Sequence, residues 1–283
     1  RLGRRKRMNA KSKRSSEKSL LQSTSHLVVQ GNPLVRNFTA EMSVNQLKLF
    51  YYLIGTVEKN DDSFYVVDVD YKTLYRLTTG DYIASGGKKY IDTLLREAVE
   101  SKLTPLKPAA WKGKLPRRLT WFKLLAVTSR YGRSSARLVL EEWLAPFLLH
   151  QQKNFTAFQF ADVAQMTGLG ALKLYPLLCS FKSTGSWEVG FSDLKLLLGQ
   201  HKLYSAYKDF NKRVLAPAIK EINERTGINV ACESIRSKED RRKVGSIRFT
   251  ITEKPNFKKS APPRVKIALV QDGDTFVRVI RAA

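Results

Sequence analysis

Apolar residues recur at helical spacing through Val44, Leu47, Phe50, Tyr51 and Ile54, and Ser43 with Gln46 three residues later forms a capping box ahead of them. The pattern then changes period. Phe64 to Val69, rich in β-branched and aromatic residues, reads as a strand, and it ends at Asp70, a fitting N-cap for a short helix from Tyr71 to Leu77. After a Gly86-Gly87 turn, Ile91, Leu94, Leu95, Ala98 and Val99 form one apolar stripe, which leaves Lys89, Asp92, Thr93 and Arg96 on the other face of a third helix. Leu119 to Ser129 and Ala136 to Leu140 read as strands around a Tyr131-Gly132-Arg133 turn. The order is helix, strand, helix, helix, hairpin.

A second stretch repeats that order. A helix around Leu172, a short strand from Trp187 to Gly190 and a helix opened by Ser192 and Asp193 lead to a third helix expected from near Ser205. Its spacing gathers Tyr204, Lys208, Asn211 and Lys212 on one polar face and turns Phe210, Val214, Ala218 and Ile222 inward. Pro217 has no backbone N–H, so it is expected to bend this helix or restart it. Ile228 to Ser234 then pairs with Ser246 to Thr252, where Ile247, Phe249 and Ile251 alternate with Arg248, Thr250 and Thr252. The hairpin tip runs from Arg236 to Lys243 and carries Lys238, Arg241, Arg242 and Lys243 as a basic wing.

The two stretches also correspond residue by residue. Leu47-Lys48-Leu49-Phe50 answers Leu172-Lys173-Leu174-Tyr175, Tyr71-Lys72-Thr73-Leu74 answers Phe191-Ser192-Asp193-Leu194, and Tyr90 after Lys88-Lys89 answers Tyr207 before Lys208. The separation between partners drifts only slightly, which indicates two copies of one module. The expected fold class is α+β, two tandem winged helix-turn-helix domains. In such a module the third helix enters the major groove, where Lys and Arg reach guanine and Asn reaches adenine, while the wing contacts phosphate. Lys208, Asn211 and Lys212 are expected to face bases, with Arg213 as a backbone clamp. A Lys/Asn face can also be merely solvated, but a cationic third helix at the same place in both copies favours DNA.

Charge agrees with that reading. The 283 residues hold 50 Lys+Arg against 25 Asp+Glu, a formal net charge of +25 that attracts phosphate. An anionic membrane surface would answer to the same charge, but no apolar run reaches the ~18 residues of a spanning helix, and the basic start is not followed by the apolar segment of a secretory signal. The expectation is a soluble, intracellular chain with no membrane partner. Residues 1–18 carry nine Lys/Arg and one acid, Glu17, and read as a mobile basic arm that either orders on DNA or stays a solvated tail. Glu253 to Lys266, with Pro255, Pro262 and Pro263, reads as a linker beyond the last domain.

Enzymatic alternatives lack their signatures. His26, His150 and His201 do not form the His-x-His pair of a rolling-circle nickase. Gly80, Gly86-Gly87 and Lys88-Lys89 lack the spacing and hydroxyl of a phosphate-binding loop, and Glu141-Glu142 lacks a third carboxylate for a two-metal site. A covalent Tyr remains formally open among eleven tyrosines, without a surrounding Arg/His constellation. Cys179 and Cys232 are too few and too far apart for a disulfide framework or a zinc motif and are expected as inert thiols. No catalytic residue, metal or cofactor is expected.

Tyr204 to Asn223, followed by Thr226 and the hairpin to Phe249, closely resembles the C-terminal module of the iteron-binding plasmid replication initiators, the Rep_3-type Rep proteins. Pro146-Phe147-Leu148-Leu149 to Asn154-Phe155-Thr156, then Leu172 to Phe181, resembles that family's junction between modules. The resemblance covers roughly residues 33–253 and is stronger in the second module. It implies two winged-helix domains in a pseudo-twofold relationship that bind directly repeated origin sites (iterons) in double-stranded DNA as a monomer. It further implies a homodimer that autorepresses at an operator inverted repeat, opening of an adjacent AT-rich segment, and recruitment of the host replication initiator and helicase in a bacterial cytoplasm. The family's contacts carry over to Lys208, Asn211, Lys212 and Arg213, and more loosely to Lys88, Lys89, Asp92 and Arg96. The organisation expected is a flexible basic arm (1–30), winged-helix domain 1 (31–145), winged-helix domain 2 as main DNA reader (146–254) and a C-terminal tail (255–283). The alternative reading is a winged-helix transcriptional repressor without initiator activity.

Overall fold

The computed structural model describes residues 26–79, 87–107, 111–112, 114–130, 133–255, 257, 265–273 and 275–282. The basic arm before His26, most of the Gly-rich turn before the first module's third helix, the Tyr131-Gly132 turn and Pro262-Pro263 lie outside the described residues.

The first unit opens with β1 (Leu27–Gly31), α1 (Asn32–Asn37) and β2 (Phe38–Ala40), then α2 (Val44–Ile54). Ser43 and Gln46 close the capping box at α2 from both sides. β3 (Val66–Asp70) leads into α3 (Tyr71–Thr79), where the Asp70 carboxylate accepts the Thr73 N–H at 2.7 Å. α4 (Gly87–Glu100), β4 (Leu103–Pro105) and the hairpin β5 (Phe122–Arg130) with β6 (Arg133–Leu140) complete it. Its core gathers Leu74, Ile91, Leu95, Val69, Leu138 and Trp121, each almost fully buried.

A junction of α5 (Ala145–Leu148), β7 (Phe155–Gln159) and α6 (Phe160–Ala164) follows, and β1 pairs back onto β7. The second unit then repeats the order with α7 (Leu169–Ser180), β8 (Ser186–Gly190), α8 (Phe191–Leu197), α9 (Tyr207–Phe210), a π turn at Asn211–Leu215, α10 (Ala216–Arg225) and the hairpin β9 (Ile228–Arg236) with β10 (Val244–Glu253). Strand order here is β8-β10-β9. α8 begins one residue earlier than expected, on Phe191, and Asp193 sits in its first turn rather than at its cap.

The stretch expected as a C-terminal tail is corrected by the structure. β11 (Val265–Asp272) and β12 (Thr275–Ala282) form a hairpin, and β12 lies parallel to β3, with Val277 opposite Val66 and Ile280 opposite Val69. The first unit's sheet therefore has five strands in the order β11-β12-β3-β6-β5. Burial of Val277 and Ile280 supplies the apolar reason, and the Arg278 guanidinium supplies the polar one by meeting both Asp61 carboxylate oxygens at 2.7 Å.

His26 marks the seam between the units. Its ring lies between Tyr52 of α2, at 5.1 Å between centroids, and Phe160 of α6, at 6.4 Å. It is 1% exposed, and neither ring nitrogen has a hydrogen-bond partner among the described residues. Burial holds its pKa below the ordinary 6.5, outweighing the opposing effect of the Gly55 backbone. The unfolded chain thus takes up a proton near pH 6.5 that the folded chain refuses, so stability is full above that value and falls as the medium is acidified. Urea melts between pH 7.5 and 5 should show a loss approaching ~1.4 kcal/mol per pH unit that His26→Phe flattens. An unchanged slope in the variant would assign the acid sensitivity elsewhere.

Candidate nucleic-acid interface

Pro217 shapes the second unit's third helix. Without its N–H the carbonyl of Arg213 has no donor four residues on, and the chain answers with a π turn in which the Ala216 N–H returns to the Asn211 carbonyl. The turn shifts the buried stripe. Phe210 is followed inward by Leu215, five residues on and fully buried, while Val214 is only half-buried; Ala218 and Ile222 are buried as the spacing predicts. Proline then occupies the first turn of α10, the restart the sequence anticipates.

On the outer side the wider turn presents Lys208, Lys212 and Arg213 to solvent, with Asn211 half-buried beside them. None of these three cations meets a carboxylate among the described residues. Tyr204 is not on this face. Its backbone is left-handed with φ 56°, it precedes the helix, and its half-buried ring packs 6.3 Å from Phe210 while its carbonyl accepts from Lys195 Nζ at 3.3 Å. The helical period that placed Tyr204 beside Lys208 does not extend back through a residue in that conformation.

The wing between β9 and β10 is closed from within. The Ser237 N–H donates to the Lys243 carbonyl and the Lys243 N–H to that of Asp240, both at 2.9 Å. The Asp240 carboxylate accepts the Arg242 N–H at 3.0 Å and pairs with Lys243 Nζ at 3.3 Å, which holds this carboxyl below its usual range. Gly245 is required here, because a Cβ would stand 2.9 Å from the Ser237 backbone. Lys238, Arg241 and Arg242 point their charge outward, whereas Lys243 is already matched to Asp240.

In the first unit Lys88 and Lys89 are exposed in the opening turn of α4, and Arg96 is exposed further along. Asp92 differs: it is half-buried and accepts the Tyr71 hydroxyl at 2.5 Å, so it ties α4 to α3 rather than facing solvent. No group of three or more His, Cys, Asp or Glu that could hold a metal occurs among the described residues, and no described helix is long and apolar enough to cross a membrane. Cys179 and Cys232 are free, and burial pushes the Cys179 thiol up to about 12.

Residues 27–179 match the family model described as Initiator Replication protein, WH1, and residues 190–251 match Initiator Rep protein, WH2. The chain belongs to the initiator Rep protein family. Its two winged-helix units are the WH1 and WH2 of that family, in that order. Among solved structures, the Pi initiator protein in complex with iteron DNA is similar at a TM-score of 0.62 and 14% identity, covering 82% of this chain and 99% of that one. The two proteins share the fold. The C-terminal hairpin of this Rep protein lies beyond both matched segments.

Sequence reasoning missed the residues that seat the second unit's third helix. Glu221 of α10 accepts the N–H groups of Thr167 and Gly168 at 2.6 and 2.9 Å, capping α7 from another element. α7 has no side-chain cap of its own, so the carboxylate answers the N–H of its N-cap Gly168, that of Thr167 before it, and the helix's positive end. Arg225 reaches the Gln165 carbonyl beside it. A cap supplied from 50 or more residues away leaves no local pattern to read.

Proposed function

We propose that the chain initiates replication of a plasmid by binding directly repeated origin sites in double-stranded DNA with both winged-helix units. The observation that carries this is the pair of third helices, α4 with Lys88, Lys89 and Arg96 exposed, and α9–α10 with Lys208, Lys212 and Arg213 exposed, in one Rep-family chain. Each presents cations where a winged helix meets the major groove, and the basic wing beside the second adds phosphate contacts. Opening of the adjacent AT-rich segment, recruitment of host initiator and helicase, and autorepression by a homodimer complete the reading, supported by family membership. The test is binding to tandem repeats from its own replicon against scrambled duplex at physiological salt. Specific sites should be favoured by ~10³ or more. Equal affinity for both sinks the reading.

A further inference from the structure

α7 carries a proline in its interior, and the proline creates an acceptor. Pro176 has no N–H, so the carbonyl of Leu172, four residues earlier, lacks the donor that an α-helix would return to it. A residue of the other unit fills the gap: the Tyr51 hydroxyl, from α2, donates to the Leu172 carbonyl at 3.2 Å. Tyr51 is buried and edge-packed against Phe158 at 5.4 Å. A cavity of about 60 Å³ borders Tyr51, Lys173, Pro176 and Leu177.

Two further side chains, Lys173 and Arg36, fasten α7 to the first unit. Lys173 Nζ donates to the Ala40 carbonyl of β2 at 2.6 Å and to Leu198 at 3.3 Å, and burial lowers its pKa to about 8. Arg36 of α1 donates to the Ser180 hydroxyl at 3.0 Å and stacks over Phe181. The start of α7 seats the second unit's third helix. A Cβ on Gly168 would meet Glu221 Oε2 at 2.7 Å, and Gly170 lies against Val214 and Ala218. α7 thus holds both the first unit and α10.

We propose that the Tyr51 hydroxyl bound to the Leu172 carbonyl is a positioning contact that fixes how α4 of the first unit stands relative to α9–α10 of the second, and so which spacing of half-sites the protein accepts. The inference rests on the two-unit DNA reading above. Tyr51 touches no nucleic acid in this account and acts through α7.

The experiment uses the full chain as Tyr51→Phe, Pro176→Ala and the double variant. Binding is measured to duplexes carrying the whole repeat, the repeat with one base pair inserted between the parts read by each unit, and only the part read by the second unit. Tyr51→Phe should weaken binding to the whole repeat by about 5- to 30-fold, the factor expected for losing a buried hydrogen bond. It should leave the half-site affinity unchanged and shrink the penalty for the inserted base pair. Pro176→Ala supplies the helix with its own donor, so adding Tyr51→Phe to it should cost less than about twofold. Equal losses on whole and half sites, or an undiminished Tyr51→Phe effect in the Pro176→Ala background, would overturn the proposal. Should the parent protein not favour its repeat at all, the DNA reading fails instead. Urea melts of the same four proteins then decide the contact alone: non-additive stabilities keep it and additive ones remove it.

Discussion

Asp61→Ala should destabilise the first unit by about 3–5 kcal/mol, because it strands a buried guanidinium. Arg278 and Asp61 have side chains only 6% and 8% exposed, and they meet through two parallel 2.7 Å bonds. The remaining neighbours compensate poorly. The Thr56 carbonyl accepts one guanidinium N–H, the Tyr65 ring lies 4.7 Å from the charge, and Glu58, at 3.7 Å, is largely in solvent. Since β12 carries Arg278, its strand should loosen from β3 first and take β11 with it. Chemical denaturation would show the shift, and limited proteolysis between residues 254 and 264 would report release of the hairpin. Replacing both partners by apolar residues, Asp61→Leu with Arg278→Met, should recover most of the loss, as buried ion pairs and well-packed apolar pairs differ little. A cost under about 1 kcal/mol for Asp61→Ala would show that water already reaches the pair.

That hairpin also shows where sequence stops being informative. Its strands are legible: β-branched residues flank Asp272-Gly273, and reading 255–283 as a tail overlooks them. Its docking is not, because the parallel pairing with β3 joins residues about two hundred apart and follows from sheet geometry rather than from any local period. The same division runs through the candidate site. Ser43, Gln46 and Asp70 act within one turn of themselves, so their roles are visible in order along the chain. Pro217 announces a disturbance, but whether a helix bends, restarts or widens depends on what packs beneath it; here Leu215 rather than Val214 fills the core. Asp92 reads as a solvent-facing acid until α3 places the Tyr71 hydroxyl against it. Tyr51 and Glu221 belong to the least legible class, groups whose partner is a backbone atom of another element.

Removing Lys208 and Lys212 together should weaken binding to the repeat by about 2–6 kcal/mol and relax its sequence preference, since each base-reading cation contributes ~1–3 kcal/mol. The π turn is what makes both available: it lets the apolar side follow Phe210 to Leu215 while the outer side keeps Lys208, Lys212 and Arg213 exposed. Arg242→Ala in the wing should behave differently, weakening repeat and scrambled duplex alike and lowering the salt slope by about one. Lys243→Ala should do less than Arg242→Ala, because Asp240 already matches the Lys243 charge. Anisotropy titrations of both duplexes across a salt series separate these outcomes. If Lys208 and Lys212 prove sequence-neutral while Arg242 carries the preference, the wing reads and the helix clamps, and the order of contacts along α9–α10 must be reassigned.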